Sequence, residues 1–131
     1  MIIDGTNAIL GRLASHAAKM LLKGEEVTIV NAERIIITGV KKKIVGKYLK
    51  RRRIGSPQHG PFFPTKPDLI VRRTIRGMLP YKTARGRVAL KKLRVYVSKP
   101  EEIKGAKSLA KEIRTSYITV EELAKNLGWK G

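Results

Sequence analysis

The first thirty residues carry two apolar patterns in succession, which together predict a strand–helix–strand unit. Residues 2–5 begin as a short apolar strand and end on Asp-Gly. From residue 9 to residue 21, apolar side chains recur at helical spacing, and Gly24 follows as a residue type that commonly ends helices. Residues 27–30 have the composition of a strand buried on both faces, as in a parallel sheet. The crossover between two such parallel strands is expected to be right-handed.

The next pattern predicts a third strand and a basic helix. Residues 34–38 are rich in isoleucine, but they follow the second strand too closely for an ordinary helical crossover. A hairpin or an irregular connection is needed, and the sequence leaves both open. Between residues 40 and 49 the apolar side chains form one helical stripe, and lysine covers the other faces.

Proline and capping residues set the boundaries in the second half of the chain. Residues 54–67 contain four prolines and two glycines, which predicts a loop. A capping-box pattern at residues 65–68 predicts the start of a helix over 69–79. Pro80 ends this helix, because the residue before a proline is disfavoured in the helical conformation.

A second capped helix follows that loop and helix. Thr83 is expected to cap a helix that runs to Lys92, with Ala84, Val88 and Ala89 facing inward. The remaining elements are a strand over 94–98, a linker over 100–105 and a helix that Thr119 caps. The chain is therefore predicted to be one α/β domain, residues 1–131, of which residues 105–131 form a C-terminal extension.

The charge of the chain is concentrated in its middle. The formal net charge is +19, and residues 39–94 hold 18 Lys and Arg against the single acid Asp68. The other residues carry 11 basic and 9 acidic side chains and are close to neutral. A solvated helix face normally interleaves Glu with its Lys and Arg, but no Glu occurs between Glu33 and Glu101. Such uncompensated charge repels itself, and a nucleic acid would relieve that repulsion.

Catalytic, cofactor and metal sites find little support in the sequence. Neither G-x-G-x-x-G nor G-x-x-x-x-G-K-[ST] occurs, and cysteine is absent. His16 and His59 are far apart; His16 is expected at the surface, whereas His59 either contacts RNA or packs within its loop. We therefore expect no enzyme activity, no cofactor, no metal and no small-molecule substrate. No signal peptide or membrane-spanning run is recognisable, so a cytoplasmic protein without membrane association is expected.

Three functions are to be compared with these features. The first is a structural RNA-binding protein, which recognises RNA by phosphate and ribose contacts. An RNA-modifying or nucleotide-using enzyme would need a cofactor loop or clustered catalytic groups. A DNA-compacting protein fits less well, because the charge lies on several elements without a helix-turn-helix or heptad pattern.

The segment RTIRGMLPYKTARGR at residues 73–87 closely resembles the signature of the universal large-subunit ribosomal protein L13 family, in its archaeal and eukaryotic form. The resemblance extends to IIDGTNAILGRLAS, VNAERIIITG and KKLRVYVSKPEE. It implies a single three-layer α/β/α domain with a mainly parallel sheet. It also implies a non-catalytic protein of the large ribosomal subunit, with large-subunit ribosomal RNA and other large-subunit proteins as partners.

Carried onto this chain, the resemblance gives roles to residues of the signature. Gly77 would allow a close approach of its helix to a neighbour or to RNA, Met78 and Leu79 would pack inward, and Pro80 would set the turn. Charge and resemblance together predict sixteen RNA-binding residues: Lys41, Lys42, Lys43, Lys47, Lys50, Arg51, Arg52, Arg53, His59, Arg72, Arg73, Arg76, Lys82, Arg85, Arg87 and Lys91.

Overall fold

The computed structural model describes residues 1–53, 65–103 and 105–130. Within these ranges the chain forms six short strands and five α-helices. The strands are β1 (Ile2–Asp4), β2 (Val27–Val30), β3 (Ile36–Thr38), β4 (Leu93–Val95), β5 (Lys107–Ser108) and β6 (Tyr117–Thr119). The helices are α1 (Leu10–Leu22), α2 (Lys41–Arg53), α3 (Pro67–Gly77), α4 (Ala84–Lys91) and α5 (Val120–Leu127). No helix in the described residues is long and apolar enough to cross a membrane.

A four-stranded parallel sheet forms the centre of the molecule. Its strand order is β4-β2-β1-β5, so β1 and β2 are neighbours joined by α1, as the sequence predicts. Ile3 lies opposite Ile29, and both side chains have no exposed surface. Thr28 and Arg94 also pair in register, but Thr28 is only half-buried and Arg94 is exposed. The predicted α/β fold with a mainly parallel sheet and a C-terminal helix is confirmed.

Helix α1 is the centre of the helical layer and contacts both α3 and α4. The side chains that it buries include Leu13 and Leu21, with Ala14 and Ala17 fully inaccessible between them. Small side chains at these two positions let a neighbouring helix approach closely. Gly24, at a φ of 93°, follows the end of α1 in the left-handed conformation, as expected for a glycine at this place.

The third strand does not join the central sheet. Strand β3 pairs antiparallel with β6, so that Ile36 lies opposite Thr119. The connection left open by the sequence is a 3₁₀ turn over Ala32–Arg34, which Asn31 enters with a φ of 55°. The strand therefore begins two residues later than predicted.

Residues 107–127 are integrated into the fold. Strand β5 extends the central sheet beside β1, and β6 completes the small sheet. Thr119 caps helix α5, because its side chain accepts a hydrogen bond from the Glu122 backbone N–H, and the helix contacts α2 and α3. Leu123 and Leu127 are buried in the same core as the sheet.

Two details of the predicted helices were wrong. Helix α3 begins at Pro67 after Lys66, and no side chain caps it, so the capping box does not form. In α4, Ala84 and Val88 are exposed, and the buried positions are Gly86 and Ala89. The cap of α4 is correct, because the Thr83 side chain accepts a hydrogen bond from the Gly86 N–H at 3.2 Å.

A polar network joins the loops at the carboxyl ends of β1 and β2. Asp4 Oδ1 accepts hydrogen bonds from the Thr6 backbone N–H and hydroxyl at 3.0 and 2.8 Å, and from Asn31 Nδ2 at 3.0 Å. Glu33, which is 8% exposed, accepts a 2.7 Å hydrogen bond from the Ser98 N–H. Partial burial raises the pKa of Asp4, but the hydrogen bonds from Asn31 and Thr6 and the charge of Lys99 outweigh it and lower that pKa below 3.8.

The close packing of Gly86 against the turn before α4 leads to a first prediction. A Cβ added to Gly86 would lie 1.9 Å from the Pro80 carbonyl oxygen, so Gly86→Ala must displace backbone. We expect a loss of about 1–3 kcal/mol in the free energy of unfolding, measured by urea denaturation. Gly11→Ala is the control, because a Cβ there meets nothing within 4 Å. Equal stability of the two variants would contradict the packing role.

The Asp4 network leads to a second prediction, on acid stability. Because the pKa of Asp4 is lower in the folded chain, its contribution to stability is complete above the unfolded value of about 3.8. It is lost as the pH falls through the folded pKa. We expect Asp4→Asn to melt at a lower temperature than the parent at pH 7 and to lose less stability between pH 5 and pH 2. The measurement is the melting temperature of both proteins across this pH range. An equal fall of the melting temperature in the two proteins would contradict the stabilising role of the Asp4 carboxylate.

Candidate nucleic-acid interface

The basic side chains of α2 form the first part of the predicted interface. Lys42, Lys43, Lys47 and Lys50 are exposed, whereas Ile44 and Tyr48 turn the other side of the helix toward the core. Lys41 differs from the rest because it forms an ion pair with Glu122 of α5. Arg51, Arg52 and Arg53 lie in the last turn of α2. His59 lies outside the described residues, as does most of the loop that the sequence predicts around it.

The three arginines of α3 have different environments. Arg72 is partly buried, and its Nη1 donates a 3.0 Å hydrogen bond to the Leu93 carbonyl at the start of β4. This contact ties α3 to the sheet. Arg73 is also partly exposed, whereas Arg76 is exposed and lies over the ring of Tyr81, with its Cζ 4.3 Å from the ring centroid. Arg72 therefore has a structural contact that the sequence does not reveal.

Basic residues of α4 and of the residues flanking it contact backbone carbonyls. Arg85 Nη2 lies 3.4 Å from the Leu22 oxygen, and Lys92 Nζ lies 3.1 Å from the Gly24 oxygen. Both acceptors are at the C-terminal end of α1, where the helix dipole favours cations. Arg87 Nη2 donates a 3.1 Å hydrogen bond to the Lys82 carbonyl. These contacts orient the guanidinium and ammonium groups but do not neutralise them, since a carbonyl carries no formal charge.

A small cavity of about 210 Å³ lies at the C-terminal end of α3. Arg73, Arg76, Gly77 and Tyr81 line it. A Cβ added to Gly77 would meet no protein atom within 4 Å, so no described neighbour approaches Gly77 closely. Met78 is 44% exposed rather than packed inward, while Leu79 is 4% exposed, as expected. Tyr81 escaped the sequence analysis, because its contact with Arg76 forms across the turn between α3 and α4 and has no local signal in the sequence.

Two other grooves border α1. One of about 330 Å³ separates it from α4 and includes the exposed Val88. The other, of about 260 Å³, lies between α1 and residues 108–111 and includes His16. His16 was expected at the surface, but its Nε2 is shielded from solvent and finds no hydrogen-bond partner among the described residues. The same residues contain no group of three or more acidic or histidine side chains placed to hold a metal ion.

Comparison with known proteins agrees with the resemblance in the signature segment. The family model described as ribosomal protein L13 matches residues 1–102. The large ribosomal subunit protein uL13 of Methanocaldococcus jannaschii is 48% identical over 134 residues, covering 98% of both chains. The protein of the same name from Methanococcoides burtonii is 46% identical over 136 residues, again with 98% of both chains covered. That of Methanopyrus kandleri is 44% identical over 138 residues, covering 98% of this chain and 87% of its own.

The buried hydrogen bond of Arg72 generates a third prediction. Arg72→Met keeps much of the aliphatic stem but removes the donor to the Leu93 carbonyl. We expect a loss of about 1–3 kcal/mol in the free energy of unfolding by urea denaturation. Lys91→Met, at an exposed position, is the matched control and should change stability by no more than about 0.5 kcal/mol. An unchanged free energy of unfolding in Arg72→Met would show that the hydrogen bond to Leu93 contributes nothing to stability.

Proposed function

The chain belongs to the ribosomal protein L13 family, and from this premise we propose that it binds large-subunit ribosomal RNA through the basic residues between positions 39 and 94. Membership of the family makes it a structural ribosomal protein rather than an enzyme. Its place is the cytoplasmic ribosome. Within the large subunit we propose that it stabilises the folded RNA and assists assembly, with other large-subunit proteins as neighbours.

The acid-free run of cations is the observation that carries the RNA-binding proposal. After Asp68, no acidic residue occurs until Glu101, yet α3, α4 and the turn between them present seven Lys and Arg side chains: Arg72, Arg73, Arg76, Lys82, Arg85, Arg87 and Lys91. Arg76, Lys82, Arg85, Arg87 and Lys91 are exposed. A phosphate backbone supplies the negative charge that this surface lacks, and arginine binds phosphate through two parallel hydrogen bonds.

The environments of the described side chains rank the predicted residues by their expected contribution to RNA binding. The exposed lysines of α2 and the exposed cations of α3 and α4 are the strongest candidates for phosphate contact. Arg72 is bonded to Leu93 and Lys41 to Glu122, so each has a structural interaction that RNA would share or displace. For Arg51, Arg52, Arg53 and His59 the proposal rests on the sequence alone. Contacts of this kind recognise the shape of folded RNA more than its base sequence.

The fourth prediction tests the basic surface by salt dependence. We expect Arg85→Ala and Arg87→Ala each to weaken binding to large-subunit ribosomal RNA and to make the slope of log affinity against log salt shallower by about 0.7–0.9. Filter binding across a salt series would measure the slope, and thermal melts would report stability.

Lys125→Ala is the charge-matched control for this series. Lys125 is an exposed cation paired with Glu121 on α5, outside the basic stretch, so its loss should leave the slope unchanged. Equal losses of RNA affinity in all three variants would show that the effect depends only on the net charge of the protein. Duplex DNA is the competitor that tests selectivity; if it displaced the RNA at equal concentration and moderate salt, the proposed RNA preference would be wrong.

A further inference from the structure

We propose that the cavity lined by Arg73, Arg76, Gly77 and Tyr81 binds one phosphate of an RNA backbone, with Gly77 holding the space open. The inference rests on the proposed function and specifies one binding position within it. Tyr81 has the role of positioning Arg76, and Gly77 that of leaving room for the phosphate and its ribose.

The stacking of Arg76 on Tyr81 leaves its hydrogen-bonding edge available. A guanidinium is planar and directs its N–H groups outward in its own plane, so contact of its face with a ring does not use these donors. The 4.3 Å separation lies within the range of cation–π attraction, which limits the motion of an otherwise exposed side chain. An arginine held in this way loses less conformational entropy when it binds an anion.

Arg73 and Gly77 complete the site because of their helical positions. Arg73 precedes Arg76 by three residues, so both side chains lie on one face of α3. Gly77 is the last residue of α3. Neither a positive φ nor a close neighbour among the described residues requires glycine there. Gly86 is the contrasting case, since protein backbone lies against it.

The size of the cavity limits its occupant. Its volume of about 210 Å³ is below the roughly 300–1,000 Å³ of ordinary small-molecule sites. A phosphate with its ribose is a suitable occupant, and a dinucleotide cofactor is too large. The two arginines that line the cavity select an anion, and its place on the acid-free surface favours the RNA backbone as the source of that anion.

The proposal is tested by filling the cavity without altering any charge. Gly77→Leu should fold with unchanged or higher stability but bind large-subunit ribosomal RNA about tenfold more weakly, with a salt slope shallower by about 0.7–0.9. Gly77→Ala should give a smaller loss of affinity. Gly11→Leu, at an exposed glycine of α1 with equally free space, is the control and should bind as the parent does. Parent-like RNA binding by Gly77→Leu would overturn the assignment.

A second pair of variants tests the positioning role of the ring. Tyr81→Phe keeps the stacking surface and should preserve affinity and slope, whereas Tyr81→Leu should lower both. Equal losses in the two variants would assign the effect to the hydroxyl and overturn the stacking argument.

Inorganic phosphate at matched ionic strength should not displace the RNA; displacement at low millimolar concentration would indicate a site for free phosphate instead. If Gly77 and Tyr81 variants bind normally while Arg85→Ala does not, the proposed function stands and this inference fails.

Discussion

Backbone carbonyls, rather than carboxylates, hold much of the basic surface of this protein in place. Arg72, Arg85 and Lys92 donate to carbonyl oxygens of β4 and of the end of α1. A carboxylate would orient a cation more strongly, but it would also neutralise the positive charge that would attract a phosphate. A carbonyl at a helix C-terminus supplies an oriented partial negative charge and leaves the cation available. The fold therefore orders these side chains while keeping the electrostatic cost that RNA would relieve.

Local signals in the sequence were sufficient for much of the fold. The β1–α1–β2 unit and the caps at Thr83 and Thr119 depend on residues close together in the chain, and they were predicted correctly. The pairing of β3 with β6 depends on residues from opposite halves of the chain, for which no local pattern exists. The inward face of α4 was misjudged because packing against the Pro80 turn favoured a glycine over the apolar Val88.

The candidate site shows the same division. Charge counting located the stretch that carries the charge and led to the prediction of a nucleic-acid partner, because net charge does not depend on conformation. It could not separate Arg72, which joins α3 to the sheet, from Arg76, which lies exposed over Tyr81. It also could not distinguish two glycines of the same segment. Gly86 lies against protein backbone, whereas no residue that the structure describes lies against Gly77, and only the three-dimensional arrangement reveals the difference.

The pairing of β3 with β6 bears on how the chain folds during its own synthesis. Ile36 is synthesised well before its partner Thr119. At about 5–20 residues per second, the first strand of the pair waits on the order of ten seconds for the second. The cationic stretch is synthesised during that interval, while the buried leucines of α5 are still missing from the core. A nascent chain of this kind exposes charge and apolar surface together until β6 and α5 have been made, so closure of the core depends on that late segment.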